Sequence, residues 1–179
     1  MAKLLEGKQV TAALKEKQQA AVAALATKGV TPTLGIIRVG EREDDIAYER
    51  GASKRCESVG VAVKYFHLPA HIPQEKLLSL IEQVNQDPSI HGVLLFRPLP
   101  KHIDDEVVRN ALAPEKDIDG ITDGSLAGVF TGSKKGFAPC TAQACLEILD
   151  HYGYNLKGKR VTVIGRGLVV GRPVAMMLM

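Results

Sequence analysis

A glycine-rich segment, residues 161–173, has the spacing best suited to binding an anion. It reads Val-Thr-Val-Ile-Gly-Arg-Gly-Leu-Val-Val-Gly-Arg-Pro. The pattern predicts a β-branched strand over 161–164, a glycine turn and the start of a helix, which together present backbone N–H groups and a helix dipole to a pyrophosphate. The spacing is one residue longer than the commonest dinucleotide fingerprint, so a glycine-rich corner without a ligand is the alternative. The candidate cofactor-binding residues are Gly165, Arg166, Gly167, Leu168, Val169 and Gly171.

Asp119 is the candidate for recognising a heterocyclic ligand. It lies in the polar connector 116–120, Lys-Asp-Ile-Asp-Gly, between the two predicted domains. Asp117 precedes it and the flexible Gly120 follows it. A carboxylate in a cleft between two domains is well placed to accept paired N–H bonds from a heterocycle. The alternative is a solvated acid in a linker.

Tyr48 and the proline-rich turn 98–100 are candidates for contact with a planar ligand. Tyr48 follows a predicted strand-to-helix loop, where its ring could stack on a ligand or simply be half-buried in a helix. Pro98, Leu99 and Pro100 follow another predicted strand and either line a pocket or form a rigid strand exit.

Metal and nucleophile chemistry has little support in the sequence. The histidines show no metal-ligand spacing, and the cysteines are unpaired, which suits a reducing compartment. Cys140 has no base near it in sequence, so we expect a packed residue rather than a nucleophile. The residues concerned are His67, His71, His91, His102, His151, Cys56, Cys140 and Cys145.

The first two thirds of the sequence alternate between predicted helices and strands. Such alternation predicts an α/β fold with a parallel sheet, right-handed crossovers, and a ligand site beyond the carboxyl ends of the strands. That site would be lined by the helix of Tyr48 and the proline-rich turn. The predicted elements are a helix over 9–28 ended by Gly29, a strand over 33–39, a helix capped by Asp44 or Asp45 and ended by Gly60, a strand over 61–68, a helix from Pro73 to Asp87, a strand over 92–96, and a helix capped by Asp104 through 112.

The character of the sequence changes after residue 116. A glycine-rich run over 125–135 precedes a helix, capped by Thr141, that runs to His151. We expect residues 1–118 to form one domain, and residues 119–179 to be a connector and the first part of a dinucleotide-binding domain. A strand and part of a helix fall short of the βαβαβ unit of such a domain, so we expect either a longer natural chain or a truncated form.

Composition sets broad limits on function. Hydrophobic residues make up 45% and charged residues 24%, which is ordinary for a globular protein. The net charge of +3 is spread along the chain, which argues against nucleic acid as a partner. We expect neither a signal peptide nor a membrane span, and therefore a cytoplasmic protein.

Taken together, these stretches resemble the methylenetetrahydrofolate dehydrogenase/methenyltetrahydrofolate cyclohydrolase family. The matching stretches occur in family order: Tyr48 with 56–60, then 92–100, 116–120, 139–141 and 165–173. The resemblance implies an N-terminal three-layer α/β parallel-sheet substrate domain followed by the start of a Rossmann-like cofactor domain, with a folate cleft between them. It also implies a homodimer through the cofactor domains, with roughly the last third of the family's length missing.

The family oxidises 5,10-methylenetetrahydrofolate to the methenyl cation by hydride transfer to a nicotinamide, and many members then hydrolyse the cation. The resemblance assigns Tyr48 a catalytic stacking and positioning role and Asp119 the binding of the pterin. It makes Pro98, Leu99 and Pro100 the pocket wall. Hydride transfer depends mainly on positioning, because the folate nitrogens stabilise the cation.

Two departures from the family concern hydrolysis. The family's Tyr-x-x-x-Lys pattern places Ala52 where the lysine of the hydrolytic step is expected, and Phe96 replaces the glutamine that orients that lysine. Lys54 lies two residues further on, about 200° around a helix. We therefore expect a dehydrogenase with weak or absent cyclohydrolase activity. The alternatives are a bifunctional enzyme that uses Lys54 or water, and a non-catalytic folate-binding fragment.

A third departure lies in the cofactor turn, where Gly167 replaces a serine common in the family. Arg166 suits either the 2′-phosphate of NADP or the pyrophosphate of NAD. The residue that usually decides between the two cofactors lies about 20 residues beyond the turn, past Met179. NADP and NAD therefore both remain candidates.

Overall fold

A three-stranded parallel sheet organises the first part of the chain. In the computed structural model, which describes residues 3–133 and 135–179, the strands among those residues are β1 (Thr33–Val39), β2 (Ala62–Leu68) and β3 (Gly92–Leu95), in the order β2-β1-β3. Ile36 of β1 lies between Tyr65 of β2 and Leu94 of β3. All of β1 after Thr33 is buried, as expected for a central parallel strand covered on both faces. The predicted parallel α/β fold is confirmed.

Helices cover both faces of the sheet and continue beyond it. Gly60, at φ +83°, ends α2 (Glu43–Val59) in the left-handed conformation that glycine adopts easily. Asp104 caps α4 (Asp105–Ala111), as predicted, by accepting hydrogen bonds from the backbone N–H groups of Glu106 and Val107. Among the described residues, no helix combines the length and the apolar character needed to cross a membrane. The helices are α1 (Gly7–Ala26), α2 (Glu43–Val59), α3 (Gln74–Gln86), α4 (Asp105–Ala111), α5 (Asp123–Thr131), α6 (Cys140–His151) and α7 (Gly171–Met177).

The core consists of two apolar clusters on opposite faces of the sheet. Strand side chains alternate between faces, so Ile37 and Leu95 join one cluster, whereas Ile36 and Leu94 join the other. The first cluster includes buried residues of α3 and α4. The second includes Phe96 and is completed by partly buried residues of α2, among them Ala52. The predicted three-layer arrangement follows directly from this alternation.

Two predicted helix caps are wrong. The N-cap of α2 is Arg42, so Asp44 and Asp45 lie inside the first turn. The N-cap of α6 is Pro139, which places Thr141 within that helix. Neither N-cap residue uses its side chain as a cap. The acidic residues of α2 still act favourably, since negative charge near a helix N-terminus complements the helix dipole.

The glycine-rich run over 125–135 contains a helix that the sequence did not predict. Lys134 lies outside the described residues, but α5 occupies most of the run. The glycines allow close packing rather than breaking the helix: a Cβ on Gly128 would lie 2.1 Å from the carbonyl oxygen of Lys135. Thr122 caps the helix by accepting a hydrogen bond from the backbone N–H of Ser125.

The strand predicted over 161–164 is absent from the described chain. These residues pair with no other strand, and Ile164 is 98% exposed. A strand requires a neighbour for its backbone N–H and C=O groups, and β-branched composition alone supplies none. The helix after the glycine turn begins only at Gly171.

The buried carboxylate of Asp117 joins the sheet to the connector. Its backbone bridges to Val93 of β3, and its side chain is fully buried. The carboxylate accepts hydrogen bonds from Ile121 N at 3.1 Å, Thr122 N at 2.8 Å and Ser125 Oγ at 2.7 Å. A buried carboxylate needs such donors, so the chain after Asp117 must fold back over it.

Replacing Asp117 by Ala is expected to lower the free energy of unfolding by about 2–4 kcal/mol, because three donors lose their acceptor in a buried site. Urea unfolding followed by circular dichroism measures this change. Glu115→Ala removes an exposed acid from the same segment and serves as the control, with an expected change within about 0.5 kcal/mol. Equal effects of the two substitutions would contradict the role assigned to Asp117.

Candidate functional site

Two adjoining cavities open beyond the carboxyl end of the sheet. The larger has a volume of about 540 Å³ and the smaller about 390 Å³, both within the range of ligand pockets. Arg97 and Asp119 line both cavities. Tyr48 and Phe96 line the smaller one, whereas Cys140, Leu168 and Val169 line the larger one. The predicted position of the site, beyond the strand ends, agrees with this geometry.

Asp119 is half-buried at the junction of the two cavities. Its position depends on Gly120, which has φ +66° and packs so tightly that a Cβ would lie 2.5 Å from Pro139 N. Burial raises the pKa of the Asp119 carboxyl; the neighbouring Cys140 thiol and Arg97 act in the opposite direction, and Asp117 adds to the increase. The ionised Asp119 carboxylate is thus poorly hydrated, and N–H bonds donated by a ligand would stabilise it strongly.

Tyr48 presents its ring to the smaller cavity. The side chain is 62% exposed, and its ring meets the edge of Phe96 with the centroids 5.5 Å apart. Burial of the hydroxyl raises the pKa of Tyr48, and the negative charge of Asp119 raises it further. The phenol therefore remains neutral at physiological pH. The structure brings Tyr48, Phe96 and Asp119 together around one cavity.

The two positions at which the family resemblance predicts the hydrolytic lysine and glutamine belong to one apolar cluster. Phe96 is buried, and Ala52 packs against the same apolar cluster one helical turn after Tyr48. Lys54 is exposed and lines neither cavity. No ammonium or amide group stands at either of the two matched positions.

The proline-rich turn lies outside both cavity linings. Leu99 packs against the first core cluster, Pro98 is exposed and Pro100 is half-buried. The Arg97–Pro98 peptide bond is cis. The role of these three residues in substrate binding stays a prediction, and the residue before them supplies the cavity wall.

Arg97 is a site residue that the sequence did not predict. Its Nε donates to the Asp105 carboxylate at 2.6 Å, and its Nη2 donates to the other oxygen of that carboxylate. The guanidinium holds the pKa of Asp105 below its usual value. The available signal was a cation at the carboxyl end of a predicted strand, directly before a proline-rich turn.

The glycine turn reaches the larger cavity through Leu168 and Val169. Gly165, Arg166 and Gly167 lie in the exposed part of the turn. Gly171 closes the turn, because a Cβ there would lie 2.2 Å from the carbonyl oxygen of Gly165. A side chain at position 171 would therefore force the turn open.

Cys140 is held as a neutral thiol. Although the residue as a whole is exposed, its Sγ donates to the carbonyl oxygen of Ile118 at 3.1 Å. Burial of the thiol, followed by the charge of Asp119, raises the pKa of Cys140 to about 11. The thiolate is therefore scarce at neutral pH, which argues against a nucleophile, although the residue is exposed rather than packed as expected.

Comparison with protein families matches most of the chain. Residues 5–119 match the catalytic domain of the tetrahydrofolate dehydrogenase/cyclohydrolase family, and residues 139–179 match its NAD(P)-binding domain. Bifunctional protein FolD of Clostridioides difficile (strain 630) is 45% identical over 176 residues, which cover 98% of this chain and 61% of the relative. Bifunctional protein FolD 1 of Desulfitobacterium hafniense (strain Y51) is 46% identical over 179 residues, covering 100% of this chain and 64% of the relative.

Solved structures give the same result. The bifunctional FolD methylenetetrahydrofolate dehydrogenase/cyclohydrolase of Campylobacter jejuni superposes with a TM-score of 0.94 at 35% identity, covering 98% of this chain and 62% of that one. The Trypanosoma brucei FolD, complexed with NADP cofactor and inhibitor, superposes with a TM-score of 0.88 at 33% identity, covering 99% of this chain and 61% of that one. The chain thus spans less than two thirds of the length of these relatives.

Alkylation of Cys140 by iodoacetamide is expected to be slow at pH 8, where a thiol of pKa about 11 is only about 0.1% ionised. Asp119→Asn removes a negative charge beside the thiol, lowers its pKa and should speed the reaction. Peptide mass spectrometry measures the rate at Cys140 alone. The control Asp150→Asn removes an exposed acid near the other end of α6, outside both cavity linings, and should have no effect. An ordinary rate at pH 8 in the unaltered protein would contradict the assignment.

Proposed function

The chain belongs to the tetrahydrofolate dehydrogenase/cyclohydrolase family, and from that premise we propose that the protein oxidises 5,10-methylenetetrahydrofolate to 5,10-methenyltetrahydrofolate, with NAD or NADP as hydride acceptor. The observation that carries the proposal is the larger cavity. Its wall combines Asp119, from the catalytic-domain match, with Leu168 and Val169, from the NAD(P)-binding match. Hydride transfer requires contact between substrate and nicotinamide, and this cavity is where the two parts meet.

The proposed domain boundary lies one residue before the end of the catalytic-domain match. Residues 1–118 form the folate domain, and residues 119–179 form the connector and the first part of the NAD(P)-binding domain. Gly165, Arg166, Gly167 and Gly171 hold the pyrophosphate, while Leu168 and Val169 form an apolar wall. Bound NAD(P) supplies the hydride acceptor. We further propose a homodimer for the full-length enzyme.

The residues around the smaller cavity act by positioning. Tyr48 offers its exposed ring as a stacking surface beside Phe96, and the raised pKa of Tyr48 keeps the phenol neutral. Asp119 accepts N–H bonds from the pterin and adds a negative charge near the developing methenyl cation. No proton transfer to a side chain is needed, because the folate nitrogens stabilise the cation once the hydride leaves.

Hydrolysis of the methenyl cation is proposed to be weak or absent. That reaction requires a polar group to manage water and a proton, and such groups typically contribute 10²- to 10⁴-fold. The positions matched to the lysine and the glutamine are Ala52 and Phe96, both packed in an apolar cluster. The exposed Lys54 lines neither cavity. The relatives are named bifunctional, and this chain is proposed to differ in that second reaction.

The first test offers the full-length natural protein 5,10-methylenetetrahydrofolate with NAD and NADP in turn, following reduced nicotinamide and methenyl absorbance together. Methenyl product should accumulate, and methenyltetrahydrofolate offered alone should be hydrolysed at the uncatalysed rate. The double substitution Ala52→Lys with Phe96→Gln should raise hydrolysis at least about tenfold by restoring a polar pair.

Lys54→Met is the matched control for that experiment. It removes an exposed lysine from the same helix and should change neither reaction. Hydrolysis that keeps pace with oxidation and disappears in Lys54→Met would show that Lys54 replaces the missing group. Hydrolysis that persists in Lys54→Met would assign the step to water, and both results contradict a monofunctional enzyme.

Asp119→Asn should raise KM for the folate roughly 10- to 100-fold, because one acceptor of a charge-assisted pair becomes a donor. The affinity for NAD(P) should change little. Steady-state kinetics and cofactor titration separate the two effects. The pH dependence gives a second check: protonated Asp119 cannot accept both N–H bonds, so folate binding is lost as pH falls. Because the pKa of Asp119 is raised, that loss should begin at a higher pH than for an ordinary aspartate.

A further inference from the structure

Arg97 is placed to contact a ligand together with Asp119. These two residues are the ones common to both cavity linings. Their charges are opposite, and each influences the pKa of the other. A guanidinium and a carboxylate in the wall of the same cavity offer a ligand N–H donors from one group and acceptor oxygens from the other.

Asp105 fixes the orientation of Arg97 and leaves part of the guanidinium unused. Nε and Nη2 of Arg97 bind the two carboxylate oxygens of Asp105 in the first turn of α4. Nη1 makes no hydrogen bond within residues 3–133 and 135–179. The Arg97 side chain is 32% exposed. A bidentate pair of this kind holds the guanidinium plane in place, so the remaining donors are preorganised.

Arg109, which also lines the larger cavity, is anchored through one nitrogen rather than two. Its Nη1 donates to the Ile121 carbonyl oxygen at 2.8 Å and to Asp123 at 2.7 Å. Arg109 is also absent from the lining of the smaller cavity. Arg97 is therefore the cation that can reach a ligand held by Tyr48 and Asp119.

We propose that Arg97 is a substrate-binding residue, whose Nη1 donates to the ring carbonyl oxygen of the pterin while Asp119 accepts the neighbouring N–H bonds. This inference rests on the proposed function. A reduced pterin carries an amino group, a ring N–H and a carbonyl oxygen along one edge, so its donors and acceptor match the two side chains. Asp105 neutralises Arg97, and the pair therefore repels the methenyl cation only weakly.

The experiment compares two reduced folates that differ at this edge alone: tetrahydrofolate, and its 4-amino analogue, in which an amino group replaces the ring carbonyl. Dissociation constants are measured by calorimetry on the full-length protein and on Arg97→Met. Loss of a hydrogen bond from a charged group should weaken tetrahydrofolate binding roughly 10- to 100-fold. The 4-amino analogue offers Arg97 no acceptor at that position, so its affinity should change less than about threefold.

Further variants test the anchoring and the fold. Asp105→Asn keeps the charge of Arg97 but weakens its anchor, so it should produce a smaller loss with the same preference for tetrahydrofolate. Arg55→Met removes an arginine that bonds Gln18 on α1, far from the cavity linings, and should leave both affinities unchanged. Thermal melting checks that each variant is folded. If Arg97→Met does not fold, Asp105→Asn still tests the inference.

The outcomes separate this inference from the proposed function. Equal losses for both ligands would place Arg97 on the glutamate tail, which the two compounds share, and would overturn the inference. Unchanged binding of tetrahydrofolate by both Arg97→Met and Asp105→Asn would overturn it as well, while the proposed function stands. If the unaltered protein binds neither compound, the proposed function and this inference fall together.

Discussion

The buried carboxylate of Asp117 is the constraint on which the site depends. A carboxylate removed from water must be hydrogen-bonded, and its donors here come from Ile121, Thr122 and Ser125, all downstream of it. The chain therefore closes a turn with Asp119 at its centre, and α5 starts where the turn ends. Since the backbone of Asp117 bridges to β3, this turn is fixed relative to the strand ends. The buried carboxylate of Asp117 thus fixes the position of Asp119, the candidate ligand-binding residue two positions later.

The same turn explains the electrostatics of the cleft. Gly120 brings Asp119 against the start of α6, so Asp119 and the Cys140 thiol share a poorly hydrated corner and both pKa values are raised. The result is an acceptor that gains strongly from N–H donors and a thiol that stays neutral. Such a corner suits a reaction that needs binding and orientation more than proton transfer, which is what hydride removal from a folate demands.

Local patterns predicted most of the fold, and long-range packing decided the remainder. The buried β1, the left-handed Gly60 and the cap at Asp104 follow from short-range rules, and the structure has each of them. The α5 helix was missed because its glycines serve close packing against Lys135, a contact that composition does not reveal. The predicted strand over 161–164 failed because pairing depends on a neighbouring strand. Tyr48 and Asp119 were singled out from their predicted positions, and the family resemblance supplied their expected roles, whereas the bidentate anchoring of Arg97 requires coordinates.

The two residues that follow β3, Phe96 and Arg97, face different parts of the cleft. Phe96 turns into the apolar cluster that contains Ala52, and Arg97 turns toward Asp105. The two residues directly after β3 therefore place an apolar group beside Tyr48 and a cation at the junction of the cavities. Under the proposed function, position 96 lacks the expected polar group, and a polar side chain stands at position 97 instead. We propose that the pterin edge is hydrogen-bonded at position 97 while the surface near Tyr48 stays apolar, an arrangement that would favour oxidation over attack by water.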